Sequence, residues 1–398
     1  MMNKLFALLY AVSSITASAQ LIYLGELEMN AGAPLRFNAI IKPLKNSVEL
    51  SIINARDTIK LDGKPISGSK GWRFDFPVFN THIRLHRVIK QWVGTFHDED
   101  KGDTIPIVFK PTSKDTPRYF LPNPQTLENK FQIIFEPGTS NERVAVLEYF
   151  PYNGNEIRGS ILTAAGDYRF LQGSVSSDSL IMSTFDGKFA YVFAARLQGD
   201  SIFGYQYYTK ATPRRFVGIK SKVAKLPDPK ALTQLNNDAG KIHFALPDTD
   251  GKIVEFNANA PLAKLTFITI GGSWCPNCMD EARFLNQLYQ KYKDKGVKII
   301  GVYFEYTDKE SVALPTLKRM ATQLKLDFPI LYGGSVRQQA AARVFPQIHK
   351  VLAYPTLIAL DAQGNIVKTY TGFYGPGTSL FADYEREMVE WIEKVVGD

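Results

Sequence analysis

One change of rhythm constrains what this chain can fold into. From Leu21 to about Thr212 apolar residues recur at every second position, and turn-forming residues interrupt them about every 8 to 12 residues. After about residue 240 continuous apolar runs alternate with segments of helical period. Successive side chains of a strand point to opposite faces, so a period of two describes strands with one buried face. The segments APLRFNAII, SVELSIINA, DTIKLDGKPI, RVAVLEYF, EIRGSILTA, DYRFLQGSV, SLIMSTF, FAYVFAARL and SIFGYQYYT all follow it. Asp62-Gly63, Asn153-Gly154 and Asp186-Gly187 read as turns between such strands. The run from Arg143 to Thr209 reads as an antiparallel meander of six strands. An all-β domain over residues 20–221, a sandwich or an up-and-down barrel, is the expectation. No strong internal repeat is visible in it.

A polar, proline-bearing linker over 222–239 follows, within KVAKLPDPKALTQLNNDAGK. Beyond it KLTFITI and VKIIGVYFE read as buried strands, and FPILYG as a short one. CMDEARFLNQLYQKYKDKG, KESVALPTLKRMATQLKL, SVRQQAAARVF and LFADYEREMVEWIEKVV read as helices, with PTLIALD and GNIVKTYTG as a hairpin. Strand and helix alternating over 240–398 predict an α/β domain around a mixed sheet.

The first residues, MMNKLFALLYAVSSITASAQ, carry Lys4, an apolar run from Leu5 to Val12 and the small-residue site Ala17-Ser18-Ala19. This is the layout of a secretory signal peptide over residues 1–19, with Gln20 as the expected mature start. The apolar run is well short of the ~20 residues that span a bilayer. The expected location is the periplasm, as an exported soluble protein. The net charge of +8 comes from scattered Lys and Arg without a basic run, so neither nucleic acid nor a membrane surface is an expected partner.

Within GGSWCPNCMDE stand Cys275 and Cys278, the only two cysteines of 398 residues. Exported proteins use disulfides as staples, yet this chain has none to spare. The pair is therefore a local ring, half of a metal site or a reactive dithiol. A structural zinc takes four ligands, and the five histidines, 82, 86, 97, 243 and 349, are all distant in sequence from the cysteines. No metal and no other cofactor is expected. His82 and His86 have the spacing of a helical metal pair, but THIRLH alternates like a strand face. An inert local disulfide would constrain little of the unfolded chain, because its ring is so small. A dithiol fits better. The strand LTFITI leads through Gly271-Gly272 into a helix that starts at Cys275, with Pro276 suited to the first turn. Free N–H groups and the helix dipole there stabilise a thiolate, lowering its pKa from ~8.5 to roughly 3.5–7.5. Cys278, three residues on, shares the helix face and can attack a disulfide made by Cys275.

WCPNC after a buried strand resembles the thioredoxin superfamily, and SWCPNCMDE resembles the TlpA/ResA group of exported thiol–disulfide oxidoreductases. The likeness runs over about 240–398 and includes FALPDTDGKIVEF and AYPTLIALDAQGNIVKTYTG. It implies a thioredoxin-like fold and a Cys275–Cys278 redox disulfide. It also implies a cis-proline loop at Tyr354-Pro355-Thr356, which with Trp274 meets the substrate, and a functional carboxylate at Glu281. The implied partners are a disulfide-containing protein substrate and a membrane electron donor protein. From the residues alone, Pro355 is permitted as a strand's first residue, and Glu281 as a solvated charge in a helix's first turn. Thioredoxin has a buried aspartate six residues before the first cysteine; Thr269 stands there, which leaves Glu281 or water to take the proton of Cys278. The N-terminal strands look similar to extensions on some members of the group. The expected function is reduction of substrate disulfides. The alternatives are an oxidase or isomerase, or a ligand-binding protein whose β domain captures a partner. A thiol peroxidase is disfavoured by Gly272, where a Thr or Ser is needed.

Overall fold

The computed structural model describes residues 21–29 and 34–397, so the expected leader and its cleavage point lie outside the described residues. The period-two region forms two closed rings. The first comprises β1 (Ile22–Leu27), β2 (Leu35–Pro43), β3 (Val48–Asn54), β4 (Asp57–Pro65), β5 (Trp72–Asp75), β6 (Thr81–Val88), β7 (Gln91–Asp98) and β8 (Asp103–Thr112). Each strand pairs antiparallel with the next, and β8 returns to β1 to close a barrel. Alternation sets the inward face: Tyr23 and Leu27 of β1 and Leu35, Phe37, Ala39 and Ile41 of β2 are buried between less buried neighbours.

Asp62-Gly63 is not a turn. It lies inside β4, where a side chain at Gly63 would meet Val48 O at 2.6 Å and the Phe74 ring at 2.9 Å. Glycine is there to admit its cross-strand partner Phe74. His82 and His86 both lie on β6, about 13 Å apart at strand rise, which rules out joint metal ligation.

The second ring comprises β9 (Asn129–Phe135), β10 (Arg143–Pro151), β11 (Ile157–Thr163), β12 (Gly166–Asp167), β13 (Leu171–Val175), β14 (Ser179–Phe185), β15 (Ala190–Gln198), β16 (Ser201–Tyr208) and β17 (Arg214–Lys220). β9 pairs with β10 and β10 with β11, then β11 with β13, and so on in chain order to β17, which returns to β9. The two-residue β12 hangs on β11. The six-strand meander is thus most of a larger closed ring. Asn153-Gly154 and Asp186-Gly187 do turn the chain, each with a positive glycine φ. Asp186 caps its turn by accepting the N–H groups of Lys188 and Phe189. The rings are packed together: Phe185 of β14 meets Phe37, Phe76 and Phe96 at centroid distances of 4.8, 5.8 and 5.1 Å.

Residues 222–239 include a short helix, α1 (Pro229–Leu232), and Ala224 and Leu226 pack against Val146, Leu162 and Tyr374. The remainder is thioredoxin-like. It contains the hairpin β18 (His243–Pro247) and β19 (Ile253–Asn257), then β20 (Leu265–Gly271), α2 (Pro276–Tyr292), β21 (Val297–Glu305), α3 (Glu310–Leu324), β22 (Ile330–Ser335), α4 (Ala340–Val344), β23 (Thr356–Asp361), β24 (Ile366–Thr371) and α5 (Phe381–Gly397). The mixed sheet has the order β22-β21-β20-β23-β24. Its central strand β20 is buried along its whole length. Leu265 and Phe267 join the core with α2, α3 and α5, whereas Ile268 and Ile270 join the core with the hairpin and α4. The helix expected over SVRQQAAARVF is broken. Gln339 is left-handed at φ 51°, which separates a 3-10 turn at Val336–Gln338 from α4 and sends Ala340 and Ala341 into the core.

Candidate active site

The end of β20 delivers the dithiol. A turn closed by the Cys275 N–H to Gly272 O at 3.2 Å starts here, but neither Gly271 nor Gly272 adopts a positive φ that would call for glycine. They make room instead: a Cβ on Gly272 would lie 2.4 Å from the Trp274 indole nitrogen, and one on Gly271 2.9 Å from the Tyr303 ring. Cys275 is the N-cap of α2, with extended backbone, and its Sγ accepts the Cys278 N–H at 3.2 Å. Pro276 occupies the first helical position, where a missing N–H costs nothing. The two cysteines are disulfide-bonded, with Cα atoms 5.2 Å apart. Cys275 is 6% exposed and Cys278 0%, so the sulfur at the helix terminus is the one that solvent reaches.

Over it lies the loop before β23. Cys275 Sγ is 3.4 Å from Tyr354 O, and the Tyr354–Pro355 peptide is cis. Trp274 donates its indole N–H to Phe304 O at 2.9 Å and packs against Tyr306 and Tyr354, at centroid distances of 4.8 and 5.4 Å. Trp274, Cys275, Tyr354 and Pro355 therefore meet at one place, with Cys278 buried behind Cys275. Thr356 does not join it by its side chain: it is fully buried and its hydroxyl donates to Ala353 O at 2.8 Å.

Glu281 is not a solvated first-turn carboxylate. It is fully buried, its Oε2 accepts the Thr269 hydroxyl, and its Oε1 has no hydrogen-bond partner among the described residues. Desolvation pushes its pKa up to about 8, against which the Thr269 bond is a smaller, lowering influence. The hydroxyls of Tyr303 and Tyr384, also buried without partners, are both raised first by burial and next by the charge of Glu281. Thr269 of β20 thus supplies the hydrogen-bond donor to a carboxylate carried by α2.

Two groups escaped sequence reasoning. Glu305, at the end of β21, accepts both the N–H and the hydroxyl of Ser273, at 2.8 and 2.7 Å, and burial pushes it up to about 7. The second group comes from the second ring, which clamps the first turn of α2. Asn277, within the Cys-x-x-Cys motif, donates to Asp167 O at 3.0 Å, and a Cβ on Gly166 would strike that amide at 2.2 Å. Arg169 grips both oxygens of Asp280 at 2.7 and 3.0 Å and also reaches Asp186. Asp167 accepts the Gly375 N–H at 2.7 Å, yet desolvation still raises its pKa to about 7. Partners 111 residues apart leave no local pattern, so no sequence signal announces this clamp.

The redoxin family profile matches residues 226–386. The thiol-disulfide oxidoreductase ResA of Bacillus thuringiensis subsp. konkukian is 29% identical over 155 residues, 38% of this chain and 75% of that protein. ResA of Halalkalibacterium halodurans is 29% identical over 131 residues, 33% of this chain and 66% of its own length. Among solved structures, StoA of Bacillus subtilis covers 39% of this chain and 99% of its own, at 20% identity and a TM-score of 0.29. The C-terminal part of this chain is a redoxin domain of thioredoxin-like fold, a thiol–disulfide oxidoreductase domain similar to ResA, preceded by an all-β region of two closed rings.

Proposed function

We propose that the protein is exported to the periplasm and reduces disulfides of substrate proteins, with Cys275 as nucleophile and Cys278 as resolving thiol. In the reduced state the Cys275 thiolate attacks a substrate disulfide. One substrate sulfur leaves as a thiolate and the other stays in a mixed disulfide with Cys275. Cys278 then loses its proton and attacks Cys275 Sγ, which expels the second substrate thiolate. Two electrons have passed to the substrate, and the Cys275–Cys278 disulfide is formed. A membrane electron donor protein with a dithiol of its own restores the pair by the same exchange.

The single observation that carries this reading is the unequal placement of the two sulfurs. Cys275 caps the helix, where N–H groups favour a thiolate, and is the more exposed; Cys278 is sealed behind it. The backbone of Tyr354 and Pro355 offers pairing to a substrate segment, Trp274 walls it, and Thr356 shapes the loop. Glu281 lies one turn beyond Cys278 and, with a pKa near that of a free thiol, is matched to take its proton. Replacing Cys278 by Ser removes the resolving step. A mixed disulfide through Cys275 should then accumulate as a higher-mass band on non-reducing gels, and Cys275→Ser should give none. Trapping through Cys278 instead would overturn the assignment. The reduction potential of the pair decides the direction of electron flow: a value near that of thioredoxin supports the reductant, a strongly oxidising one an oxidase.

A further inference from the structure

A cleft of about 630 Å³ opens beside the dithiol, and the rings and the redox domain each supply one of its walls. Phe79, Phe189, Tyr191 and Tyr208 come from the rings, facing Trp274 and Tyr306 of the redox domain. On the Asn277 side the approach to Cys275 is closed, because Pro276 and Asn277 are buried and Asn277 is bonded to Asp167 O. The Trp274 side, which borders this cleft, stays open to a chain that reaches Cys275 Sγ. Six rings give that path large, rigid contact area at low entropic cost.

The cleft also has a sign. Four cations line it, Lys101, Lys188, Arg319 and Arg337, against the acids Asp100 and Glu305. The lysines are occupied: Lys188 pairs with Asp100 at 2.8 Å and Lys101 with Asp98 at 3.3 Å. The arginines are not. Among the described residues Arg319 donates only to a carbonyl, Val78 O, at 3.1 Å, and Arg337 lies over the Tyr306 ring at 5.7 Å. Glu305 spends both oxygens on Ser273. Two guanidinium groups thus face the entry path without a carboxylate bonded to them, and guanidinium forks suit carboxylates.

Resting on the reading of the dithiol as a reductant, we propose that this cleft docks an extended substrate segment with acidic residues flanking its disulfide. The rings supply one wall of the groove, and Arg319 and Arg337 select for the acid. The β-rich region then forms half of the substrate site.

The test uses the full-length protein and two disulfide peptides of matched length and apolar content, one flanked by Glu and one by Lys. The readout is the ratio of their kcat/KM values at low salt. The wild type should favour the Glu peptide by about tenfold or more, and the preference should shrink as salt rises. The double variant Arg319→Glu/Arg337→Glu should abolish or invert the ratio; a general loss of folding would lower both peptides alike. A milder Arg319→Gln/Arg337→Gln variant should give an intermediate ratio. Equal rates for both peptides in the wild type, or a preference that survives charge reversal, would overturn the proposal. Bis(2-hydroxyethyl) disulfide separates the two levels. A wild type that cannot reduce it refutes the reductant reading itself, while one that reduces it but ignores flanking charge refutes only the acidic cleft.

Discussion

Replacing Glu281 by Gln should change how stability and turnover respond to pH, and the sign follows from burial. The folded protein holds this carboxyl at about 8, against 4.5 for an ordinary glutamate. Between those two values the folded state binds a proton that the unfolded state releases. The resulting stabilisation is fully present below about pH 4.5 and is lost as pH rises through about 8. A difference of about 3.5 units at 1.36 kcal/mol each makes the full swing about 5 kcal/mol, an order-of-magnitude figure. Glutamine is neutral throughout, so the variant lacks this slope. Denaturant unfolding of the oxidised protein at pH 5, 7 and 9 should show the wild type losing stability relative to Glu281→Gln by several kcal/mol across the series. In kinetics, release of substrate from the mixed disulfide should accelerate with pH up to about 8 in the wild type and more weakly in the variant, with the first attack little changed. Parallel stability curves would refute the claim of a buried, protonated carboxyl. Parallel resolution rates would remove the proton-relay role alone.

The clamp between the second ring and α2 makes a further prediction. Arg169→Met leaves Asp186 buried without its cation and Asp280 with the half-exposed Arg283 alone, and should cost about 3–5 kcal/mol. It should also raise the pKa of Cys275, read from the pH profile of its alkylation, because a negative charge near the helix start disfavours a thiolate. A fragment spanning about 240–398 should be soluble, mixed α/β by circular dichroism and able to reduce bis(2-hydroxyethyl) disulfide while losing any preference for the Glu peptide; an unfolded or inert product would mean that the dithiol chemistry itself needs the rings. Mass spectrometry of the exported protein should find a chain beginning at Gln20, and retention of residues 1–19 in a membrane fraction would refute export with cleavage.

What could be read in advance was what is local. Cys275, Pro276 and Cys278 lie within four residues, and their chemistry follows from a strand running into a helix start. Glu281 was half legible: it falls on the same helical stripe as Cys278, Leu285, Leu288 and Tyr292, all buried, and that spacing already contradicted a solvated side chain. The Asp62-Gly63 turn failed because a dipeptide that favours turns also serves wherever an aromatic ring crowds a strand. Ring closure was hidden for a different reason. Whether β17 finds β9 or leaves a sandwich open is decided by pairings across some 80 residues, which period-two alternation does not encode. The bonds from Arg169 to Asp280 are of the same non-local kind.

Both rings close on their own first strand, and this matters while the chain is still being made. A strand with an unpaired edge is a template for any other extended chain, and closure removes the edge altogether. Among the described residues every ring strand except the two-residue β12 has a partner strand on both sides, although β5 covers only Gly63–Pro65 of β4. Closure comes late in synthesis, however: β8 can pair with β1, and β17 with β9, only after every intervening strand has been made. Until then each ring is an open, apolar sheet. A chain stopped before Arg214 would keep β9 and β16 bare for good, and it should aggregate where the complete chain does not.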